Sequence, residues 1–149
     1  MMKNQLELAQ NIIEIYKKHA RAWTELRGNF LYEKAWLDHF LARIPQHSKI
    51  LDLGCGSGKP IADYLIQHDH KITGVDSSDV MIEMARQNFP EQHWLQADIR
   101  TVEFDQKFNA ILAWDSFFHL TPDDQRQMFR QFARLAQQGT VLMFSSGPS

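Results

Sequence analysis

The chain has 149 residues, of which 44% are hydrophobic and 23% charged, a composition that is typical of one globular domain and excludes a disordered or fibrous chain. A formal net charge of -2 gives no general attraction to nucleic acid or anionic lipid, and no stretch has the ~20 apolar residues that a membrane helix requires. We therefore expect binding to neither nucleic acid nor membrane. Cys55 is the only cysteine, which excludes an intrachain disulfide, so we expect a cytoplasmic protein.

Two helices are predicted in the amino-terminal part of the chain. Apolar residues recur every three or four positions over the first twenty residues, which indicates an amphipathic helix, and a second helical pattern covers residues 31 to 43. The segment RAWTELRGNF between them contains a glycine and an asparagine, so a bend is expected there. We therefore predict a helical segment over residues 1–45 that precedes a core spanning residues 46–149.

From residue 49 onward, short apolar runs alternate with helical segments. The runs KILDL, KITGV, HWLQA and FNAILAW are predicted strands, with helices over residues 60–68 and 79–89 between the first three. This alternation predicts a parallel sheet covered by helices, with right-handed crossovers. The segment DIRTVEFDQK before the fourth strand is too short and too mixed for a crossover helix, and we interpret it as a loop.

The last predicted unit is a helix followed by a fifth strand, TVLMFSS. Thr121 is expected to be the N-cap with Pro122 at the first helical position, and Gly139 is expected to stop the helix. The predicted buried face comprises Met128, Phe129, Phe132, Leu135 and Ala136. If the fifth strand lies at the rim of the sheet, its outer edge needs cover, and pairing of this edge in a homodimer is one interpretation.

The stretch ILDLGCGSGKP joins the first strand to a helix and carries glycines at 54, 56 and 58. Bare backbone at the amino-terminal end of a helix favours bound anions and a close approach of ligand to main chain. The phosphate-binding P-loop does not fit, because Leu53 stands where its first glycine belongs and Pro60 follows Lys59. The dinucleotide pattern fits poorly, since Lys59 replaces its third glycine.

Four motifs instead resemble those of class I S-adenosylmethionine-dependent methyltransferases. They are Asp52 with the glycines that follow it, Asp76 in KITGVDSS, Asp98 in QADIR, and the segment FNAILAWDSFFHL, each at the end of a predicted strand. The resemblance implies a Rossmann-like, doubly wound α/β sheet of strand order 3-2-1-4-5 with an amino-terminal helical lid. Members usually carry a helix and two further strands beyond the fifth, and we expect this chain to lack them.

The resemblance also implies roles for individual residues. Asp76 would bind the ribose diol, Asp98 with the Ile99 amide would meet the adenine edge, and the loop amides would face the methionine part. The residues expected to contact S-adenosylmethionine are Tyr16, Trp23, Arg27, Asp52, Gly54, Cys55, Gly56, Gly58, Asp76, Ser77, Met81, Asp98, Ile99 and Trp114. Packing in the core is an equal interpretation for Tyr16, Met81 and Trp114.

The resulting hypothesis is a methyltransferase that acts on a small-molecule acceptor. Methyl transfer needs alignment of donor and acceptor rather than a side-chain nucleophile, so His119 with Asp115 would act as a base only if the acceptor must lose a proton. His68 and His70 lack further ligands nearby, so no metal site is expected. A dehydrogenase of the same fold and a non-catalytic binder of S-adenosylmethionine remain the alternatives.

Overall fold

The computed structural model describes residue 31, residues 33–114 and residues 120–145. Within these ranges the helices are α1 (Lys34–Leu41), α2 (Ile61–Gln67), α3 (Asp79–Asn88) and α4 (Pro122–Leu135). The strands are β1 (Lys49–Leu53), β2 (Lys71–Asp76), β3 (His93–Gln96), β4 (Phe108–Ala113) and β5 (Ala136–Phe144). The segment between β3 and β4 contains no helix, which confirms its interpretation as a loop.

All four strand pairings are parallel, and the order across the sheet is β3-β2-β1-β4-β5. The sheet therefore has the predicted strand order and the predicted doubly wound form. β1 lies at the centre, and Ile50, Leu51 and Leu53 are each 0% exposed. A strand buried on both faces has a continuous apolar sequence rather than an alternating one, as KILDL does.

Two separate cores lie on the two faces of the sheet. Helices α1, α2 and α3 cover one face, where Leu37, Leu65 and Ile82 pack against Ile50 of β1. Helix α4 covers the other face with Met128, Phe132 and Leu135, which belong to the same cluster as Leu51 and Leu53. Because successive strand residues point to opposite faces, β1 joins both cores and its carboxyl end is held rigidly between them.

Helix α4 begins as predicted but ends earlier. The Thr121 hydroxyl accepts a hydrogen bond from the Asp124 amide at 3.1 Å, which confirms the N-cap. The expectation that Gly139 stops the helix was wrong: α4 ends at Leu135, because Ala136 pairs with Phe108 as the first residue of β5. Gly139, with φ of +86°, lies in an irregular stretch of β5, where Thr140 Oγ1 donates to the Phe108 carbonyl at 2.7 Å.

One prediction about the buried face of α4 was wrong. Phe129 was expected on the buried face of α4, but it is 49% exposed and packs edge-to-face against Phe144 at the rim of the sheet. Pairing of this edge between two chains stays a prediction, as does the division at residue 45. None of the described helices is long and apolar enough to cross a membrane.

Candidate functional site

The carboxyl ends of β1, β2, β3 and β4 lie along one edge of the sheet, and the glycine loop begins there directly after β1. The loop turns back over the end of β2: the amides of Gly54 and Cys55 both donate to the Val75 carbonyl, at 2.7 and 3.0 Å. Gly54, Gly56 and Gly58 have φ of +89°, +57° and +86°, a conformation that other residues rarely adopt. The glycines are therefore needed for the shape of the loop itself.

Asp76, at the end of β2, fixes this loop through hydrogen bonds to its carboxylate. Its Oδ2 accepts a hydrogen bond from the Gly56 amide at 2.9 Å, and its Oδ1 accepts one from the Ser78 amide at 2.9 Å. The residue is 3% exposed. Ser78 in turn caps α3 by accepting a hydrogen bond from the Met81 amide at 3.2 Å. One carboxylate thus fixes the glycine loop and the start of α3 relative to each other.

Asp52 is the second buried carboxyl of the site. It is 4% exposed, and no hydrogen bond reaches its side chain from the parts of the chain that the structure describes. Burial and the nearby carboxylate of Asp76 raise the pKa of Asp52 to about 7. Burial, together with the same two carboxyls, also raises the pKa of the Cys55 thiol. This end of β1 is therefore an acidic position that no described side chain compensates, and it would favour a cationic group.

A tryptophan that the sequence pattern did not mark as part of the site lies beside the loop. Trp94 of β3 lies beside Gly74 of β2 in the strand register and donates its indole N–H to the Phe89 carbonyl at 2.8 Å. A Cβ built at Gly74 would lie 2.4 Å from two atoms of that indole, and one at Gly58 would lie 3.2 Å from a third. The Trp94 indole therefore occupies space that side chains at positions 58 and 74 would need.

Asp98 follows β3 and is bound by an arginine that was not among the predicted site residues. Arg100 donates to both carboxylate oxygens of Asp98, and its Nη1 donates to Asp124 of α4 at 3.0 Å. Burial acts to raise the pKa of Asp98, but the hydrogen bonds from Arg100 outweigh it and leave that pKa below its ordinary value. The spacing Asp-x-Arg in QADIR was the signal available for this pair.

Trp114 follows β4 directly, on the side of the glycine loop away from β2. Its ring lies 6.5 Å from the ring of Trp36 on α1, measured between centroids. Both tryptophans line an open groove of about 340 Å³, together with Leu142, Met143 and Phe144. The surface beside Trp114 is therefore mainly apolar, in contrast to the acidic ends of β1, β2 and β3.

The remaining predicted residues fall into two groups. Ser77 and Ile99 are partly exposed near the ends of β2 and β3, and Met81 is buried at 2% exposure in α3. The others lie outside the described residues, so their roles stay predictions: Tyr16, Trp23, Arg27, Asp115 and His119. The described site therefore joins the glycine loop, Asp52, Asp76 and Asp98 along one edge.

Comparison with known families identifies the domain. The profile of the methyltransferase domain family matches residues 50–139, which is more than half of the chain and contains the glycine loop, both buried carboxyls and Asp98. The chain belongs to this methyltransferase family. The predicted family resemblance is confirmed, and the matched segment begins in β1 and extends through α4 into β5.

Individual methyltransferases are similar to parts of this chain. A Bacillus subtilis protein named as a methyltransferase, YqeM, is 31% identical over 136 residues, which are 87% of this chain and 54% of that protein. The trans-aconitate 2-methyltransferase of an Azoarcus species is 39% identical over 83 residues, which are 50% of this chain and 32% of that enzyme. The chain thus spans about half of the first relative and about a third of the second.

A solved structure gives the same architecture. The TehB-like S-adenosylmethionine-dependent methyltransferase of Corynebacterium glutamicum superposes with a TM-score of 0.66 at 28% identity, over 91% of this chain and 71% of that one. The methyltransferase fold inferred from strand order and motifs is therefore found independently by structural comparison.

Proposed function

We propose that this domain binds S-adenosylmethionine at the carboxyl edge of β1, β2 and β3 and transfers its methyl group to a small-molecule acceptor. Family membership supports the reaction type. The name of the trans-aconitate enzyme, which designates a small organic acid, supports the acceptor class.

The observation that carries this proposal is the order of groups along the edge. Asp98, Asp76, the glycine loop and Trp114 follow one another at the ends of β3, β2, β1 and β4. S-adenosylmethionine is a linear molecule with its base, ribose and amino-acid tail in the same order. Neighbouring strands lie about 4.8 Å apart, so the three acidic strand ends span about 10 Å, a distance that a nucleoside with a tail can cover.

Each carboxyl then has a chemical task. Asp76, held by two amides, would accept hydrogen bonds from the ribose diol, and Asp98 would accept one from the adenine amino group. Asp52 would face the ammonium of the tail, whose positive charge offsets the cost of burying a carboxylate. The amides of Gly54 and Cys55 are occupied by Val75, so the tail carboxylate is left to Tyr16 or Arg27.

The reaction itself requires alignment more than acid–base chemistry. The acceptor atom forms a bond to the methyl carbon while the bond from that carbon to the sulfonium breaks, which leaves S-adenosylhomocysteine. Holding the two reactants in line can supply much of the rate enhancement. Where the acceptor carries a proton that must leave, His119 with Asp115 is the proposed base.

A thermal-shift series tests the ligand class. At concentrations near one hundred times its dissociation constant, S-adenosylmethionine or S-adenosylhomocysteine should raise Tm by roughly 5 to 10 °C, since such binding adds about 2.7 kcal/mol to the free energy of unfolding. NADH at equal concentration should leave Tm unchanged. Stabilisation by NADH but not by the sulfonium donor would favour a dehydrogenase and contradict the proposal. Donor binding without formation of S-adenosylhomocysteine across an acceptor panel would point to a non-catalytic binder.

A further inference from the structure

Asp98, Arg100 and Asp124 form a hydrogen-bonded cluster that joins the loop after β3 to the first turn of α4. The Arg100 amide donates to Asp98 Oδ1 at 2.8 Å, its Nε donates to Oδ1 and Oδ2 at 2.9 and 3.0 Å, and its Nη2 donates to Oδ2 at 2.6 Å. Its Nη1 donates to Asp124 Oδ2 at 3.0 Å. The side chains of Arg100 and Asp124 are 22% and 12% exposed, and that of Asp98 is 39% exposed.

Helix α4 holds the same loop at a second point. Gln131, which is 1% exposed, donates its side-chain amide to the carbonyls of Ile99 and Val102, at 3.3 and 2.7 Å. The loop from Asp98 to Val102 is thus fixed to the helix both through its main chain and through the Arg100 side chain. This double attachment limits the positions that the Asp98 carboxylate can take.

Asp98 stays accessible to a further hydrogen-bond donor, because its side chain is 39% exposed. A carboxylate has about four lone-pair sites, and three N–H groups of Arg100 reach them, with the Nε–H shared between the two oxygens. The carboxylate plane would otherwise turn freely about a soft torsion, and the paired contacts with the guanidinium fix it. The cluster contains one cation and two anions. Because Asp124 shares the positive charge of the guanidinium, Asp98 is a stronger hydrogen-bond acceptor than it would be in an ion pair with Arg100 alone.

We propose that Arg100 and Asp124 are positioning residues for base recognition, which hold the Asp98 carboxylate toward a ligand amino group and so select adenine over a 6-oxopurine. The inference rests on the proposed donor binding. Adenine presents an N–H donor at position 6, whereas hypoxanthine presents a carbonyl oxygen there, which would face a carboxylate oxygen. The selection therefore depends on the orientation of Asp98 and not on its presence alone.

Binding calorimetry with S-adenosylhomocysteine and its hypoxanthine counterpart, S-inosylhomocysteine, tests this role. The wild-type chain should prefer the adenine ligand about 20-fold, the scale of one charge-assisted hydrogen bond. Arg100→Gln should reduce that preference to about threefold or less, and Asp124→Asn should reduce it in part. A purely structural role would weaken both ligands alike and leave their ratio unchanged. Arg126→Gln, at an exposed arginine of the same helix paired with Asp123, is the matched control and should keep the wild-type ratio.

The outcomes separate this inference from the proposed function. If the folded wild-type chain binds neither ligand, the proposed function fails and the inference fails with it. If the wild-type chain binds both and prefers adenine, but Arg100→Gln and Asp124→Asn keep the full preference, the inference alone is overturned. A wild-type chain that binds both ligands equally overturns it as well. Should Arg100→Gln fail to fold, the isosteric Asp124→Asn still decides the question.

Discussion

Gly74→Ala is expected to destabilise the domain by about 3 kcal/mol, a large loss for a change that adds one methyl group. The new Cβ would lie 2.4 Å from two ring atoms of Trp94 and 2.8 Å from the Cys55 sulfur. Trp94 cannot retreat easily, because its indole N–H is bonded to the Phe89 carbonyl at 2.8 Å. Urea denaturation of the wild-type and variant chains would measure the loss. Since Cys55 belongs to the glycine loop and Trp94 lies beside Gly58 of that loop, the affinity for S-adenosylmethionine should fall together with stability.

Gly139→Ala provides the contrast for this experiment. A Cβ at Gly139 meets nothing within 4 Å, but the φ of +86° disfavours any residue other than glycine, so only backbone strain of about 1 to 2 kcal/mol is expected. Gly74→Ala should also cost much less in a Trp94→Leu background, because the clash with the indole is then removed. Wild-type stability of Gly74→Ala in the otherwise unchanged chain would contradict the packing described for Trp94.

Asp52→Asn is expected to stabilise the ligand-free domain at pH 8. The pKa of Asp52 is raised to about 7 in the folded state, whereas an unfolded chain gives an aspartate a pKa near 3.9. The folded state therefore holds the proton more tightly, and the free energy of unfolding falls as pH rises from about 4 to about 7 and is level above that. Between pH 5 and pH 8 the wild-type chain should lose about 2 to 3 kcal/mol through this group. The variant should not.

Denaturation at pH 5 and pH 8 for wild type, Asp52→Asn and Glu91→Gln checks this prediction. Glu91 is an exposed carboxylate in the turn before β3, so its replacement should reproduce the wild-type difference between the two pH values. An Asp52→Asn chain whose stability changes with pH as much as that of the wild type would show that the buried carboxyl is not the source.

The loss of stability that Asp52 causes has a functional interpretation. A buried carboxyl that no described group compensates lowers stability, and such positions are typical of binding sites rather than of structural cores. A cationic ligand beside Asp52 would lower its pKa and release a proton on binding. The Asn variant should therefore be more stable when empty and should bind the sulfonium donor more weakly.

The sequence predicted the sheet well because its strands are short apolar runs that end at marked positions. KILDL leads directly into the glycines, and KITGV and HWLQA are each followed by polar residues and a loop. The order of strands and the position of the glycine loop, Asp76 and Asp98 at one edge followed from this pattern and from the family resemblance. Helical periodicity likewise predicted the start of α4, where a capping threonine precedes a proline.

The sequence predicted less where pairing between distant residues decides the structure. Ala136 continues the helical pattern of α4 but pairs with Phe108, and this tertiary contact ends the helix before Gly139. The contact of Trp94 with Gly74 depends on the register between β2 and β3, which periodicity does not reveal. The bond from Arg100 to Asp124 spans 24 positions along the chain, and only the folded sheet brings the two groups together.

We propose above all that the edge formed by the glycine loop and Asp76 is the site of the sulfonium donor. Calorimetric titration of S-adenosylhomocysteine into the wild type, Asp76→Asn and Asp79→Asn chains tests it most directly, with near-ultraviolet circular dichroism to confirm that each is folded. Asp79 is the exposed first residue of α3 and serves as the matched control. We expect binding at one site per chain, a loss of affinity of at least about tenfold for Asp76→Asn, and an affinity within about twofold of wild type for Asp79→Asn. A folded wild-type chain that does not bind, or an Asp76→Asn chain with wild-type affinity, would contradict it.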